Sequence, residues 1–300
     1  MPESYSVTFG PVAVPAGMED TQCVVLRLHN PRALHVGSIH DVLGETSHHL
    51  IVYKVADTVE QPVPFSCQPF ADTLDPSRGA PLVITQKHDE TLTLPDGVAF
   101  TLEPDQMVRL ELHYINVTGG PLDAVATATF TSIPDAAFRD EASFLFIGNP
   151  DISIPAGGQT TLGPTYFSLP RTLADSQFFA ITGHTHRFGT NVSVATAPSA
   201  GGADTPVYDV PGWEWSEPAT VTHDPPFQVP AGGGFHFTCE WNNTSNQPVS
   251  FGESATAEMC FFWAYYYPSQ GALVCFHTDQ VPGGFDFCCP GNALCSRILN

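Results

Sequence analysis

The sequence predicts an all-β protein. Short segments rich in β-branched and aromatic residues recur along the chain, for example "MVRLELHYINV", "AVATATFTSI" and "CFFWAYYYP", and Gly, Pro, Asn or Asp bounds each of them. The chain has 25 glycines and 28 prolines, which is typical of frequent tight turns between short strands. A sustained helical periodicity is missing, apart from a possible turn at "PRTLADSQ".

The length predicts two domains. The chain has 300 residues, and a domain typically takes roughly 150. A hydrophobic content of 42% is enough for a core in each domain. The boundary is expected near "TSIPDAAFRDEAS" (131–143), where a strand ends at Pro134 and a charged stretch follows. We therefore divide the chain into 1–138 and 139–300.

The charge excludes some classes of partner. Ten Lys and Arg face 31 Asp and Glu, which gives a formal net charge of −21. Binding of nucleic acid or of an anionic membrane surface needs clustered basic side chains, and this sequence has none. No apolar run approaches the roughly 18 residues that span a bilayer. We expect no nucleic-acid or membrane partner, and we interpret the acidic surface chiefly as a source of solubility.

Cysteine usage predicts an oxidising compartment. The eight cysteines are even in number and form no CxxC pair of the zinc-binding type. The start "MPESYSV" lacks the pattern of a signal peptide, so either a leader has been removed from this numbering or none existed. The cysteines favour the first alternative. The expected location is therefore secreted, periplasmic or extracellular.

Two histidines lie one residue apart in "ITGHTHRFGT" (181–190). Residues i and i+2 of a strand point to the same face, so His184 and His186 can bind one metal ion. Taken alone, such a pair is more often simply solvated.

Three further features resemble metal ligands less clearly. His48 and His49 are adjacent in "SHHL", and both reach one ion only at a strand end or a bulge. His113 lies among apolar neighbours in "LELHY", where a hydrogen-bonded core histidine is the common alternative. Met259, in "EMC", is more often a core residue than a ligand.

The order of these features along the chain resembles a known family. "HH", "LELHY", H-T-H and "EMC" followed by an aromatic run ending "YYYP" are similar to the copper type II, ascorbate-dependent monooxygenases. This family includes the peptidylglycine alpha-hydroxylating and dopamine beta-hydroxylating enzymes. The resemblance covers roughly residues 20–270 and includes "PDGVAF" (95–100) and "NPDISIPAGG" (149–158).

The resemblance implies two antiparallel, jelly-roll-like β-sandwich domains side by side, with an open cleft between them. It implies two coppers per chain, ascorbate as reductant, O2 as co-substrate and a small-molecule substrate that is hydroxylated at an activated C–H. In the first domain the electron-transfer copper would be held by His48, His49 and His113. In the second domain the oxygen-binding copper would be held by His184, His186 and Met259.

The donor types favour copper on chemical grounds as well. Imidazole suits copper in both oxidation states, and a thioether prefers the soft Cu(I) ion. A site with three imidazoles suits cycling between the two states. Zinc accepts three histidines, but methionine is an unusual zinc ligand.

The sequence departs from the peptide-amidating members of the family at the substrate anchors. Those members have an Arg two residues before the H-T-H pair, and an Asn and a Tyr two and four residues after the Met ligand. The corresponding residues here are Thr182, Phe261 and Trp263. A peptide carboxylate would lose its charge-assisted hydrogen bonds, so we expect a pocket with an aromatic wall and no peptide-amidating specificity. Glu111 resembles the catecholamine-type branch but does not define a substrate.

The resemblance also implies disulfides. It pairs Cys239 with Cys260, and we expect a second bridge between Cys23 and Cys67. Two more bridges are expected in a Cys-rich tail, 275–300, where the pairing is not defined by the sequence. The tail is either a structural clasp or a segment that closes over one site, and its His277 is either solvated or an extra ligand. The four tail cysteines are Cys275, Cys288, Cys289 and Cys295.

Three hypotheses remain at this stage. The first is a copper monooxygenase. The second is a copper-binding or copper-sequestering protein that keeps both sites without catalysis, which the missing substrate anchors favour. The third is a zinc-dependent adhesion module. The sequence does not indicate an oligomeric state.

Overall fold

The computed structural model describes residues 2–67, 79–252, 254, 256–290, 292 and 295. The chain divides into two compact units between Ser143 and Phe144. This point lies after the expected boundary at 138/139, because Asp140–Glu141 forms a strand that pairs with Val98–Leu102 of the first unit. Within the described ranges, no helix has the length and hydropathy needed to cross a bilayer.

The first unit consists of two sheets and a short 3-10 helix, Asp135–Ala137. One sheet has the order β1-β10-β3-β8-β11, with β7 also paired to β3, and the other has the order β5-β2-β9-β4-β6. The strands are β1 (Ser4–Val14), β2 (Glu19–Arg27), β3 (Leu34–Leu43), β4 (Ser47–Val55), β5 (Gln61–Ser66), β6 (Gly79–Thr85), β7 (Asp89–Thr93), β8 (Val98–Leu102), β9 (Met107–Ile115), β10 (Leu122–Ile133) and β11 (Asp140–Glu141).

Strand burial in the first unit follows the sequence pattern. In β10 the residues alternate, with Ala126, Ala128 and Phe130 fully buried and the threonines between them partly exposed. The neighbouring sheet differs, because β4 and β9 are buried along almost their whole length. These two strands pair directly with each other and carry the histidines of the first unit.

The second unit also consists of two main sheets, together with the short pair β13-β20 and a 3-10 helix, Arg171–Leu173. The sheets have the orders β18-β15-β21-β12-β22-β23 and β14-β19-β16-β17. The strands are β12 (Ser143–Gly148), β13 (Ser153–Ile154), β14 (Gln159–Ser168), β15 (Gln177–His184), β16 (Gly189–Ala197), β17 (Thr205–Asp209), β18 (Val221–Phe227), β19 (Gly234–Asn242), β20 (Val249–Ser250), β21 (Phe261–Tyr267), β22 (Leu273–Thr278) and β23 (Phe285–Cys289).

The two main sheets of the second unit share one core. Leu145 and Phe262 from one sheet are fully buried in the same cluster as Val192 and Phe235 from the other. The rings of Phe235 and Phe262 lie 5.3 Å apart in an edge-to-face arrangement, which is favourable for aromatic pairs. The sheets therefore pack face to face.

The all-β prediction is confirmed, but the sheets are not wholly antiparallel as expected. β12 pairs with β22 in parallel, from Leu145 opposite Leu273 to Gly148 opposite Phe276, and β11 pairs with β8 in parallel. Two parallel neighbouring strands are joined by a long crossover connection, so they are distant in sequence. Which strands become neighbours depends on contacts between distant residues. The alternation within a strand does not contain this information.

The expected tail is part of the sheet rather than an appendage. β22 and β23 form an antiparallel hairpin at its edge, and β22 lies beside β12. Of the range 275–300, residues 291, 293, 294 and 296–300 lie outside the described part of the chain.

All eight cysteines form disulfides. Both pairs that we expected, Cys23–Cys67 and Cys239–Cys260, are present. The other two are Cys275–Cys288 and Cys289–Cys295. The pairing of Cys275 follows from strand register, since it lies directly opposite Cys288 across β22 and β23.

The tripeptide "PAG" occurs at 15–17, 155–157 and 230–232, and it marks turns in both units. Gly17, Gly157 and Gly232 have φ values of +75°, +61° and +71°. Side chains of L-residues rarely adopt this left-handed region, so glycine is the residue that allows the chain to turn there.

Candidate metal centres

Adjacent histidines reach one site in the first unit because the strand is irregular there. The pairing of β4 with β9 shifts register between Ser47 and His49, and His49 then lies directly opposite His113. A β-bulge of this kind changes the direction of a side chain at the end of a strand. It allows His48 and His49 to approach His113 together.

The three histidines form a compact cluster. Their ring centroids lie 5.5 Å apart for His48 and His49, 5.4 Å for His48 and His113, and 5.0 Å for His49 and His113. Their ligand atoms all lie within 4.8 Å of one another. Among His, Cys, Asp and Glu side chains of the described residues, no other group of three meets this distance. The donor type and the spacing fit one shared metal ion.

Glu19 fixes the orientation of His113. The Nε2 of His113 donates a hydrogen bond to Glu19 Oε1 at 3.0 Å, which makes Nδ1 the nitrogen that can act as ligand. Glu19 begins β2, which pairs with β9. Sequence reasoning missed Glu19, because its only signal is a carboxylate at the start of a strand whose partner was unknown.

Two more polar groups lie on β9 beside this cluster. Glu111, two residues before His113, is buried and accepts a hydrogen bond from the hydroxyl of Tyr53 at 2.9 Å. Burial and the carboxylate of Asp20 raise the pKa of Tyr114 to about 12, so this phenol stays protonated at neutral pH. Glu111 and His113 share a strand face because they are two residues apart.

The second pair of histidines lies at the end of β15. His184 is the last residue of the strand, whereas His186 lies beyond it in the connection to β16. The expectation that both project from one regular strand was therefore wrong for His186. The rings nevertheless lie close, with centroids 5.2 Å apart, and the two residues are 1% and 4% exposed.

Glycine is required in this connection. A Cβ atom at Gly189 would collide with the side chain of Thr185, and it would lie 3.1 Å from the carbonyl oxygen of His186. The backbone N–H of Gly189 donates to that same oxygen at 2.9 Å and closes the turn. The tight turn after His186 therefore depends on the absence of a side chain.

The segment that carries Met259 contacts the segment that carries His186. The Nδ1 of His186 donates to the carbonyl oxygen of Ala257 at 3.1 Å, so Nε2 is the nitrogen that can act as ligand. The backbone N–H of His186 donates to Glu258 Oε2 at 2.8 Å. Met259 follows Glu258 directly, is 3% exposed, and precedes Cys260 of the disulfide with Cys239.

Glu258 is the second residue that sequence reasoning missed. It was part of the "EMC" motif, but no role followed from the sequence for a carboxylate beside a methionine. Burial raises the pKa of Glu258, while hydrogen bonds from the backbone of Phe188 and His186, the indole of Trp241 and the backbone of Met259 act in the opposite direction.

The three residues expected in a substrate pocket lie on the strands next to His184. Thr182 pairs with Trp263 and His184 pairs with Phe261 across β15 and β21. All three pocket residues are at most 2% exposed. The ring of Trp263 lies 5.9 Å from that of His184, and Phe261 stacks on Phe146 at 4.9 Å. The hydroxyl of Thr182 donates to Thr220, which is also neutral.

A cavity of about 650 Å³ lies elsewhere in the first unit. It is lined by residues at the start of β9, such as Met107, together with Arg27 and Lys54. His113 lies near the other end of the same strand, about 20 Å away at the usual rise of roughly 3.3 Å per residue. This cavity is therefore separate from the histidine cluster.

Residues 142–282 match the sequence-family model described as the C-terminal domain of copper type II ascorbate-dependent monooxygenases. The matched range contains His184, His186 and Met259, and most of the first unit lies outside it. A search of curated proteins found no significant match.

Two solved structures show a weak similarity to this chain. The major capsid protein P2 of bacteriophage PM2 has a TM-score of 0.38 and 10% identity, over 90% of this chain and 100% of that chain. PNGase F, a glycosylasparaginase from Flavobacterium meningosepticum, has a TM-score of 0.41 and 12% identity, over 90% of this chain and 97% of that chain. Scores at this level support no conclusion about the present chain.

Proposed function

We propose that the chain is a copper type II ascorbate-dependent monooxygenase, because residues 142–282 match the model of the C-terminal domain of that family. The proposed reaction is hydroxylation of an activated C–H of a small organic substrate, with O2 and an ascorbate-type reductant. One observation carries the proposal. A segment that matches this family's C-terminal domain shares the chain with a separate, compact cluster of three histidines.

The residues present fit copper at the first site. Three imidazoles within 4.8 Å of one another offer nitrogen donors that bind both Cu(I) and Cu(II). Glu19 holds the ring of His113 and increases its basicity, as carboxylates commonly do for histidine ligands. We assign His48, His49 and His113 to the copper that stores an electron.

The donors of the second site fit copper better than zinc. His184 and His186 offer two imidazoles, and the buried thioether of Met259 favours Cu(I). Methionine is an unusual ligand for zinc, so the proposed zinc-dependent adhesion module has little support. We assign these three residues to the second copper and to O2 activation, which gives two coppers per chain. Copper, when bound, supplies the one-electron chemistry that couples ascorbate oxidation to O2 reduction.

The chain itself contributes position and exclusion of water. The hydrogen bonds of His113 to Glu19 and of His186 to Ala257 fix which nitrogen of each ring acts as ligand. The ring of Trp263 lies 5.9 Å from that of His184, so a buried aromatic side chain borders the second site. An environment of this kind protects a reactive species from side reactions with water.

The walls of the second site support an uncharged, partly aromatic substrate. Thr182, Phe261 and Trp263 are neutral, and they replace the groups that anchor a peptide carboxylate in the amidating members. Arg187 is close in sequence, but it is exposed and its guanidinium lies over the ring of Phe188. A carboxylate substrate would lack a buried cationic partner here, which argues against peptide amidation.

We also propose a compartment and partners. Four disulfides are consistent with an oxidising environment, so the proposed location is secreted, periplasmic or extracellular. The proposed partner is a small-molecule substrate, with neither nucleic acid nor a membrane involved, because the net charge is −21.

The test uses the full chain loaded with copper and supplied with ascorbate and ¹⁸O2. A panel of small aromatic compounds with activated C–H bonds is compared with a glycine-extended peptide. We expect labelled hydroxyl product from members of the panel and none from the peptide. Amidation of the peptide would contradict the proposed specificity. Binding of copper without product from any compound would favour the copper-sequestering alternative, which the replaced anchors at Thr182, Phe261 and Trp263 motivate.

A further inference from the structure

Glu258 is a fully buried carboxylate whose hydrogen-bond donors come from different parts of the second unit. Its Oε2 accepts from the backbone N–H of His186 and from the indole Nε1 of Trp241, each at 2.8 Å. Its Oε1 accepts from the backbone N–H of Phe188 at 2.8 Å. The exposed fraction of Glu258 is 0%.

The pattern of these bonds is that of an ionised carboxylate. The His186, Phe188 and Trp241 groups that contact the Glu258 side chain are all N–H donors, so both carboxylate oxygens act only as acceptors, which is the capacity of the charged form. No Lys, Arg or His of the described residues forms an ion pair with Glu258. A buried charge without a partner is costly, so a counter-charge is expected nearby.

The same residue connects the donors of the second site. Glu258 is covalently joined to Met259, and it binds the backbone N–H of His186. The neighbouring carbonyl of Ala257 accepts from the ring of His186. His186 and Met259 would hold the cation, and Glu258 is joined to both of these residues, to one by a hydrogen bond and to the other by a peptide bond.

From these contacts we infer that Glu258 is a positioning residue that joins the Met259 segment to the His186 turn and supplies the buried negative charge that balances the bound copper ion. The inference rests on the proposed function for the identity of the ion. It assigns to Glu258 two separable effects, one on geometry and one on charge.

The two effects predict different results for the two oxidation states. Loss of hydrogen-bond support alone weakens Cu(I) and Cu(II) binding by the same factor. Loss of a nearby negative charge weakens binding of the doubly charged Cu(II) ion more, because its attraction to the carboxylate is larger. The ratio of the two affinities therefore separates a charge-balancing residue from one that only supports the fold.

The experiment is a copper titration that compares Glu258→Gln with the protein that keeps Glu258. Both proteins also carry His113→Ala, which removes a ligand of the first site, so the titration measures copper binding at the second site. The variant keeps the shape of the side chain but removes the charge and directs an amide N–H group at a backbone or indole donor. We expect Cu(I) affinity to fall about 10- to 100-fold, the range typical for residues that support a ligand. Cu(II) affinity is expected to fall further, so the reduction potential rises.

Asp41→Asn is the matched control. Asp41 is a buried carboxylate of the first unit, with an exposed fraction of 1%. Burial and the charge of Glu90 raise the pKa of Asp41 well above its usual value. Asp41→Asn therefore replaces a buried carboxyl group by an amide without touching a ligand of the second site, so both affinities should remain unchanged. X-ray absorption at the copper edge adds a structural readout, since the sulfur scattering of Met259 should weaken in Glu258→Gln only.

The outcomes separate this inference from the proposed function. Equal affinities in variant and parent, or an equal loss for both oxidation states, would overturn the role of Glu258. If Glu258→Gln fails to fold, Trp241→Phe provides the test, because it removes one hydrogen-bond donor to Glu258 and keeps the negative charge of Glu258. That variant should weaken Cu(I) binding a few-fold, and unchanged binding would overturn the inference. If the unchanged protein binds copper normally but hydroxylates no substrate, the proposed function is wrong, whereas the inferred role of Glu258 is not contradicted.

Discussion

Glu19 Oε1 lies 3.0 Å from His113 Nε2, and this contact sets which nitrogen of the histidine can face a metal ion. Replacement of Glu19 by Gln should weaken copper binding at the three-histidine site about 10- to 100-fold, because the ring loses a charged acceptor that holds it and increases its basicity. Copper titration of the full chain measures the effect. Glu103→Gln, at an exposed carboxylate, is the control and should bind copper as the unchanged protein does.

Met259→Ile should abolish hydroxylation. The substitution keeps an apolar side chain of similar size at this buried position but removes the thioether, so the second site keeps only two imidazoles. The first site shares no residue with this segment, and its Cu(II) signal in electron paramagnetic resonance should persist. Product formation at the full rate in this variant would show that Met259 is not a ligand of the second copper.

Gly189→Ala should destabilise the second unit by about 1–3 kcal/mol, which is usual when a methyl group is forced into a packed site. The new Cβ would collide with Thr185 and press on the turn that contains His186. Denaturant unfolding gives the free energy. Gly201→Ala is the control, since no atom lies within 4 Å of its added Cβ, and a loss of stability equal to that of Gly189→Ala would contradict this explanation.

The stability of the hairpin β22–β23 should depend on pH through His277. This histidine is buried, and its Nδ1 and Nε2 lie 2.7 Å from Asp286 Oδ1 and 3.1 Å from Asp279 Oδ1. Burial lowers the pKa of His277, but the hydrogen bonds and charges of Asp286 and Asp279 outweigh it, so the pKa is raised from 6.5. His277 is therefore buried and hydrogen-bonded to two carboxylates rather than solvated.

The sign follows from the direction of this shift. A histidine whose folded-state pKa is raised stabilises the fold fully below its unfolded value of 6.5, and the contribution is lost as the pH rises through the folded-state value. The unchanged protein should therefore exceed His277→Gln in melting temperature at acidic pH, with the difference shrinking at alkaline pH. A difference that does not vary with pH would show that His277 stays neutral in the folded protein.

Sequence reasoning predicted the all-β fold class and named the three histidines that the structure brings together, His48, His49 and His113, because those signals are local. Alternation in β10 and the glycines of the "PAG" turns depend only on neighbouring residues. The need for a bulge at His48 and His49 followed from strand geometry, and the register shift at Ser47 supplies it.

The features that sequence reasoning missed depend on contacts between distant segments. Glu19 meets His113 through the pairing of β2 with β9. Glu258 meets His186 across 72 residues of chain. The parallel pairing of β12 with β22, and the position of His186 beyond the end of β15, are likewise set by tertiary structure rather than by local pattern.

X-ray absorption spectroscopy of the fully reduced protein, combined with copper analysis, tests the central claim most directly. The account predicts two Cu(I) ions per chain and a sulfur scatterer at one of them, with the sulfur signal lost in Met259→Ile and one ion lost in His113→Ala. A single copper per chain, or two ions with nitrogen donors alone in the unchanged protein, would contradict it.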